Sequence, residues 1–277
     1  MKRFARIDIH TTISEIDKVI PIIREQISFE NDIELKTYSN RIMIRNLIVG
    51  DSIYQSIIKK SQELGLKHKI FERREYTKKE IASAVLLDAE FYAPYENRDK
   101  TDSEELGTLY DYSIACPKCG EGKKQITDLM IDAKGMGKQN IAHHDPDIIV
   151  TEYTKNVIEN SGLTGCEFRD VFDYKDRPLP QKLYQLVITS ILPEMKYDAM
   201  RIEYENHCDI CTRNAIMRSE IIYDTDKVTT YADFNQSLEF YGIGGGNLKR
   251  TIVSARVRDV LIENKIKVFQ YEPVKLV

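Results

Sequence analysis

Ile148-Ile149-Val150-Thr151, set beside Thr251-Ile252-Val253-Ser254, decides how the chain is read. At this offset of 103 residues Ile149 meets Ile252, Val150 meets Val253, Val157 meets Val260 and Val171 meets Val274 without a gap. Conservative matches join them: Lys155 with Arg258, Ile158 with Leu261, Leu163 with Ile266 and Phe168 with Tyr271. Each copy reads as a strand, a helix of about ten residues and a second strand ending in valine. Four identities in 24 positions carry little alone, because any two strand-helix-strand segments share apolar positions. A second feature repeats in the same order, a C-x-x-C ahead of each copy, 31 residues from Cys119 to Val150 and 42 from Cys211 to Val253. Two independent features in matching order mark an internal repeat.

The cysteines carry the chemistry. Cys116-Pro117-Lys118-Cys119-Gly120 has the composition of a zinc knuckle, and Cys208-Asp209-Ile210-Cys211 supplies a second pair, with Thr212 where the first has Gly120. Two thiolates three residues apart chelate one ion if the chain turns sharply between them, and a following glycine tolerates the positive φ such a turn needs. Together Cys116, Cys119, Cys208 and Cys211 make the pattern of one structural Zn2+ per chain. The pairs lie 88 residues apart, so the ion would clip two halves of one domain together. C-P-x-C is also a glutaredoxin-like sequence. Against that, Gly120-Glu121-Gly122 is a poor helix start, and a redox motif leaves the second pair unexplained. Cys166, the odd thiol, reads as a small buried hydrophobe.

Other candidates have plainer readings. His143-His144-Asp145 reads as a turn before Pro146, since neighbouring side chains seldom converge on one ion. His207 reads as a knuckle neighbour donating to sulfur. Gly242-Ile243-Gly244-Gly245-Gly246-Asn247 lacks the Gly-Lys-Ser/Thr ending of a phosphate loop and reads as a mobile loop.

The first ninety or so residues alternate strand and helix signals. Phe4–His10 is a strand, followed by a helix with Ser14 as N-cap, Asp17 at N3 and a blemish at Pro21. Ile33–Tyr38 and Arg41–Val49 form a hairpin about Ser39-Asn40, a second helix starts at Asp51, and Lys69–Tyr76 is a polar strand. Thr77 and Glu80 are a capping box for a short helix, and Leu86–Tyr92 closes the unit. The expected fold class is α+β: a ferredoxin-like β-α-β-β-α-β domain over 1–92, a linker over 93–112, and over 113–277 a zinc-knuckle domain of two strand-helix-strand halves.

Composition sets the outer bounds. The 277 residues are 42% hydrophobic and 30% charged, a globular balance. No run of 18 apolar residues and no apolar segment behind the basic start at Met1-Lys2-Arg3 is found, so a cytoplasmic chain without a membrane span is expected. The formal net charge of −4 argues against a dedicated nucleic-acid binder.

From about Ser113 onward the chain resembles the double-CXXCG family of bacterial immunity-like proteins. The residues that carry this are Cys116–Gly120, Ile148–Glu152, Leu163-Thr164-Gly165 with Phe168 and Val171, Cys208–Cys211, Ile252–Ser254 and Glu272-Pro273-Val274. The resemblance implies an antitoxin that binds and neutralises a toxin exchanged between related cells. The expected function is a non-enzymatic, zinc-stabilised protein-binding protein whose partner is a cognate toxin. A zinc-ribbon nucleic-acid-associated protein, with Lys118, Lys123 and Lys124 as a basic face, is the second reading. An enzyme with its site in a cleft between domains is the third.

Overall fold

Ala5, Ile7 and Ile9 point to one side of the first strand, and that alternation organises residues 1–80. The computed structural model describes residues 1–27, 32–92, 103–132, 139–144, 146–179, 181–204, 207–211, 215–243 and 246–277. The chain is mixed α+β, rich in strands, and divides into two units, Met1–Glu80 and Ile81–Val277. Among the described residues no helix is long and apolar enough to cross a membrane.

The first unit runs β1 (Lys2–His10), α1 (Ile13–Gln26), β2 (Glu34–Tyr38), β3 (Arg41–Ile48), α2 (Ser52–Glu63) and β4 (Lys67–Glu75). Its sheet has the order β2-β3-β1-β4 with every pairing antiparallel. Ile7, Ile9, Ile23, Ile44, Leu47 and Ile57 are fully buried between the sheet and the two helices. Each such side chain contributes about 1.5–3 kcal/mol relative to exposure. The cap of α1 is Thr12 and not Ser14. Glu15 reaches back to the Thr12 backbone N–H at 3.2 Å and completes the capping box there. Pro21 is carried inside α1, flanked by the buried Val19 and Ile23. Asp51 caps α2 by accepting from the Tyr54 N–H at 2.7 Å.

The boundary between the units falls within α3 (Lys78–Ser83), which the Thr77/Glu80 capping box opens. The elements of the second unit are β5 (Leu86–Glu90), β6 (Tyr110–Asp111), β7 (Lys124–Gln125), β8 (Leu129–Ile131), β9 (Ile141–His144), β10 (Asp147–Thr151), α4 (Glu152–Asn160), β11 (Cys166–Asp173) and β12 (Leu183–Ile188). Next come β13 (Ile202–Glu203), β14 (Ile216–Met217), β15 (Ile222–Tyr223), β16 (Phe234–Ile243), β17 (Gly246–Ser254), α5 (Ala255–Glu263), β18 (Gln270–Pro273) and β19 (Lys275–Leu276). One sheet has the order β8-β11-β12-β10-β9 and a second the order β13-β14-β16-β17-β5-β18.

The repeat is real in three dimensions. Thr151 caps α4 by accepting from Thr154 N–H, and Ser254, 103 residues on, caps α5 by accepting from Val257 N–H. Both helices have nine residues, and each is followed by a left-handed residue, Gly162 at φ +59° and Lys265 at φ +56°. The duplication reaches further upstream than the sequence match. Tyr110 pairs with Gln125, and 92 residues later Ile202 pairs with Met217. β11 meets β8 in parallel at Phe172–Met130, and β19 meets β15 in parallel at Lys275–Ile222.

The leading strands are exchanged between the copies. β12 lies between β10 and β11, pairing Ile149 with Gln185 and Phe168 with Leu186. β5 lies between β17 and β18 in the same register shifted by 97 residues, pairing Ile252 with Asp88 and Tyr271 with Ala89. Each copy therefore lends its first strand to the sheet of the other. Val150, Val253, Ile158, Leu261, Leu163 and Ile266 fill one core shared by both copies. Ile149 with Val171, and Ile252 with Val274, occupy two separate equivalent cores.

This corrects the expected boundaries. Leu86–Tyr92 does not close the first unit, because β5 finds its backbone partners on β17 and β18. Of the expected linker, 93–102 lies outside the described residues, while Ser103, Leu106 and Thr108 are buried and β6 is paired. The second unit therefore begins at Ile81 and not at Ser113.

Gly165 marks where one copy presses on the other. Its φ is +83°, and a Cβ there would lie 2.2 Å from the Phe234 carbonyl oxygen and 2.5 Å from Ala232 Cβ. The Phe234 N–H donates to Thr164 O at 2.9 Å, so the two backbones cannot separate cheaply. Gly165→Ala is expected to destabilise the chain by about 2–4 kcal/mol, from positive φ and overpacking together. Urea denaturation measures it, and a loss below about 1 kcal/mol would contradict this account of the contact.

Candidate metal centre

Cys116 and Cys119 sit in the turn that joins β6 to β7, and Cys208 and Cys211 in the equivalent connection between β13 and β14. In the first turn the Cys116 N–H donates to Glu121 O at 2.7 Å and the Gly120 N–H to Cys116 O at 2.9 Å. Gly120 takes φ +73° and Gly122 φ +81°, the backbone freedom that the knuckle composition anticipates. Thr212 lies outside the described residues, as do Asp145 and Gly244-Gly245.

The two turns bring all four thiols together, with every sulfur within 4.8 Å of the others. Cys116 Sγ is 3.7 Å from Cys208 Sγ and Cys119 Sγ is 3.3 Å from Cys211 Sγ, so each cysteine faces its own counterpart in the other copy. All are free thiols. A tetrahedral ion with metal–sulfur bonds of about 2.3 Å sets neighbouring sulfurs about 3.8 Å apart, and the donor set fits it. These four residues can hold a metal ion, and they belong to two segments far apart in the sequence.

The backbone prepares the thiols for that. Burial pushes Cys116 up, but the N–H groups of Lys118 and Cys119 and the thiols of Cys119 and Cys211 outweigh it and bring it down to about 7. The N–H groups of Ile210 and Cys211 lower Cys208 in the same way. Cys166 goes the other way. It is half-buried on β11, and burial, with Asp233 and Glu159 nearby, pushes it up to about 11. A thiol so held is inert at neutral pH.

The remaining candidates fall elsewhere. His207 Nδ1 is bonded to the Tyr204 carbonyl, and its ring sits edge-on to Tyr204 at 5.1 Å. His143 and His144 are strand residues of β9 and not a turn, opposite Ile148 and Asp147 of β10, and their side chains leave the strand on opposite faces. The glycine-rich segment joins a hairpin in which Gly242 pairs with Asn247 and Ile243 with Gly246. Its flanks are ladder residues and not a loose loop. Lys118 is bonded to Asp209 at 2.7 Å across the two knuckles, and Lys123 to Glu104 and Tyr112. The second reading from sequence draws on a basic face of Lys118, Lys123 and Lys124, and the first two are ion-paired. Their partners lie 91 and 19 residues away, outside any local pattern.

His143 gives the second unit an acid sensitivity. Burial, and then the charge of Arg250, hold it down to about 4 from its ordinary 6.5. The unfolded chain therefore takes up a proton below about pH 6.5 that the folded chain refuses, and stability falls as pH drops from there toward 4. Between pH 7 and pH 5 the loss from this group is expected to be about 2 kcal/mol. His143→Gln should remove that part of the pH dependence in urea denaturation. An unchanged slope would rule the group out.

Searches of protein-family models, curated proteins and solved structures find no match to the chain.

Proposed function

We propose that the chain is a non-enzymatic protein-binding protein of the immunity kind, held in shape by one structural zinc ion on Cys116, Cys119, Cys208 and Cys211. The observation that carries the reading is the thiol set itself, four sulfurs within 4.8 Å drawn two from each copy. All-sulfur, four-coordinate sites are closed, whereas catalytic zinc keeps a position for water. Bound there, the ion would supply no chemistry beyond joining the two knuckles. The sheet order of the first unit and its β-α-β-β-α-β course support a ferredoxin-like domain, and the paired turns support the zinc-knuckle reading of the second.

Binding to a protein has its own support. Leu109, Tyr112, Ile114 and Ile126 around the first knuckle, and Tyr204 and Ile210 around the second, are exposed. Apolar side chains left in water beside a rigid metal site are what an interface core needs. Residues 81–277 carry 24 Lys and Arg against 32 Asp and Glu, a net of −8, which suits a basic toxin and speeds its encounter. The ion pairs of Lys118 and Lys123 weigh against nucleic acid at the knuckles.

Two measurements test this. Protein purified under reducing conditions without chelator is expected to contain about one zinc per chain, and a metal-free result removes the ion. Pull-down from the native cell should recover a protein toxin, and co-expression of this chain with that toxin should restore growth; recovery of nucleic acid alone would count against this reading. Turnover of a small substrate by the purified chain would replace this reading with an enzymatic one.

A further inference from the structure

The open face of the four-stranded sheet in residues 1–80 has a pattern that neither the metal nor the knuckles use. Because Ala5, Ile7 and Ile9 face the core, Phe4, Arg6, Asp8 and His10 face away from it. The register then puts Phe4 opposite Arg73 and Arg6 opposite Phe71 on β4. These are two aromatic–guanidinium pairs side by side. Arg6 lies over the Phe71 ring at 4.0 Å and Arg73 over the Phe4 ring at 5.2 Å. A third such pair, Arg41 over Tyr38 at 4.6 Å, stands on β3 and β2.

A bulge completes the groove. The β1–β3 register shifts between Ala5 and Ile7, so Arg45 and Asn46 of β3 oppose Arg6, with Asn46 at φ +62°. Bulges re-aim side chains. Asn46 Oδ1 accepts from Arg73 at 3.2 Å, and Asn46 Nδ2 donates to Asp32 O at 2.9 Å, which fixes the far wall. Phe4, Arg6, Arg45, Asn46, Phe71 and Arg73 line a depression of about 270 Å³ together with Glu72, whose charge is paired to Arg3 at 2.5 Å. That is shallower than an enclosed small-molecule pocket and suits a ligand laid along the surface.

Charge says what that ligand is. Residues 1–80 carry 16 Lys and Arg against 12 Asp and Glu, a net of +4 in a chain of net −4. Arg6, Arg41, Arg45, Lys67, Lys69 and Arg73 lie on the open face; Glu34 and Glu75 share it, at 4.0 Å from Arg45 and 2.9 Å from Arg73, and Asp8 in their midst is buried, paired to Arg6 and Arg41, so the cations still outnumber the carboxylates there. Cations interleaved with rings and guanidinium planes match a flexible polyanion with flat, unstacked bases. A duplex hides its base faces, and an acidic peptide gives the rings nothing to stack on. We infer that the open face of β1–β4, centred on Phe4, Arg6, Phe71 and Arg73, binds single-stranded nucleic acid. The inference stands on the first unit and does not depend on the zinc or the immunity reading.

The test is fluorescence anisotropy of a labelled ten-nucleotide uridine RNA with the full chain at about 50 and 200 mM salt. The wild type should bind at the lower salt and weaken steeply at the higher. R45E/R73E should lower affinity by about 30-fold or more and flatten the log–log salt slope by about 1.4, two phosphate contacts at 0.7 each. Phe71→Leu should cost about 10-fold at either salt. K67E/K69E changes two exposed lysines outside the core, so weakening there cannot be ascribed to unfolding. Absence of binding to the RNA at about 50 mM salt overturns the proposal, as does wild-type affinity in both K67E/K69E and R45E/R73E. Equal or tighter capture of a decaglutamate peptide or of duplex RNA overturns it too, the peptide result assigning the face to an acidic protein.

Discussion

Cys116→Ser and Cys208→Ser are each expected to cost residues 81–277 about 4 kcal/mol or more, the largest effect of any single substitution in the chain. A structural zinc contributes roughly 10–16 kcal/mol of apparent binding free energy, and a three-thiolate remnant keeps part of it. The damage should be cooperative, because an ion held there would join two turns that lie 92 residues apart and face each other with equivalent cysteines. The double variant should cost little more than either single one, since both remove the same ion. Hydrogen exchange is the discriminating measurement. Amides of β10, α4, β17 and α5 should lose protection in the variants while those of β1 to β4 keep theirs. Melting and exchange identical to the wild type would mean that the four thiols hold nothing structural.

Asp88→Ala follows in magnitude, at about 3–5 kcal/mol, because it strands a buried guanidinium. Arg250 Nε donates to Asp88 Oδ2 at 2.9 Å and to Oδ1 at 3.2 Å, and the side chains are only 10% and 4% exposed. The pair latches the exchanged strand β5 to β17. Its counterpart in the other copy is neutral on one side. Gln185 of β12 donates to Asp147 at 2.7 Å, and Asp147 precedes Arg250 by the repeat offset of 103. Gln185→Ala should therefore cost less, about 1–3 kcal/mol. Replacing both members of the ion pair, Asp88→Leu with Arg250→Met, should recover most of the loss. Denaturant midpoints of the three variants decide it, and Asp88→Ala behaving like Gln185→Ala would show that Arg250 is not left unpaired.

Much of this was legible in the order of residues. Thr151 and Ser254 are the hydroxyl caps of α4 and α5, and the apolar spacing behind each is that of a helix packed on one face. The hairpin about Ser39-Asn40, the Asp51 cap and the Thr77/Glu80 box were written in short patterns that act over a few residues. The slip at the start of α1 is of the same local kind, two capping candidates two residues apart, settled by Glu15 reaching Thr12.

What the sequence determined alone is therefore what local chemistry determines: caps, turns, strand and helix periods, the duplication, and which four cysteines could share one ion. Tertiary structure decided where β5 goes. Leu86-Leu87-Asp88-Ala89-Glu90 offers backbone donors and acceptors to any open strand edge, so its five residues cannot name a partner. They pair with β17 and β18 because Leu86 and Leu87 are fully buried there and Asp88 meets Arg250, 162 residues away. The upstream half of the duplication was hidden for a related reason. Its offset of 92 differs from the 103 of the downstream half, chiefly because β16 and β17 have ten and nine residues where β9 and β10 have four and five. Length changes in a connection break a sequence register while leaving strand pairing intact, because pairing is set by backbone hydrogen bonds and burial and not by spacing along the chain.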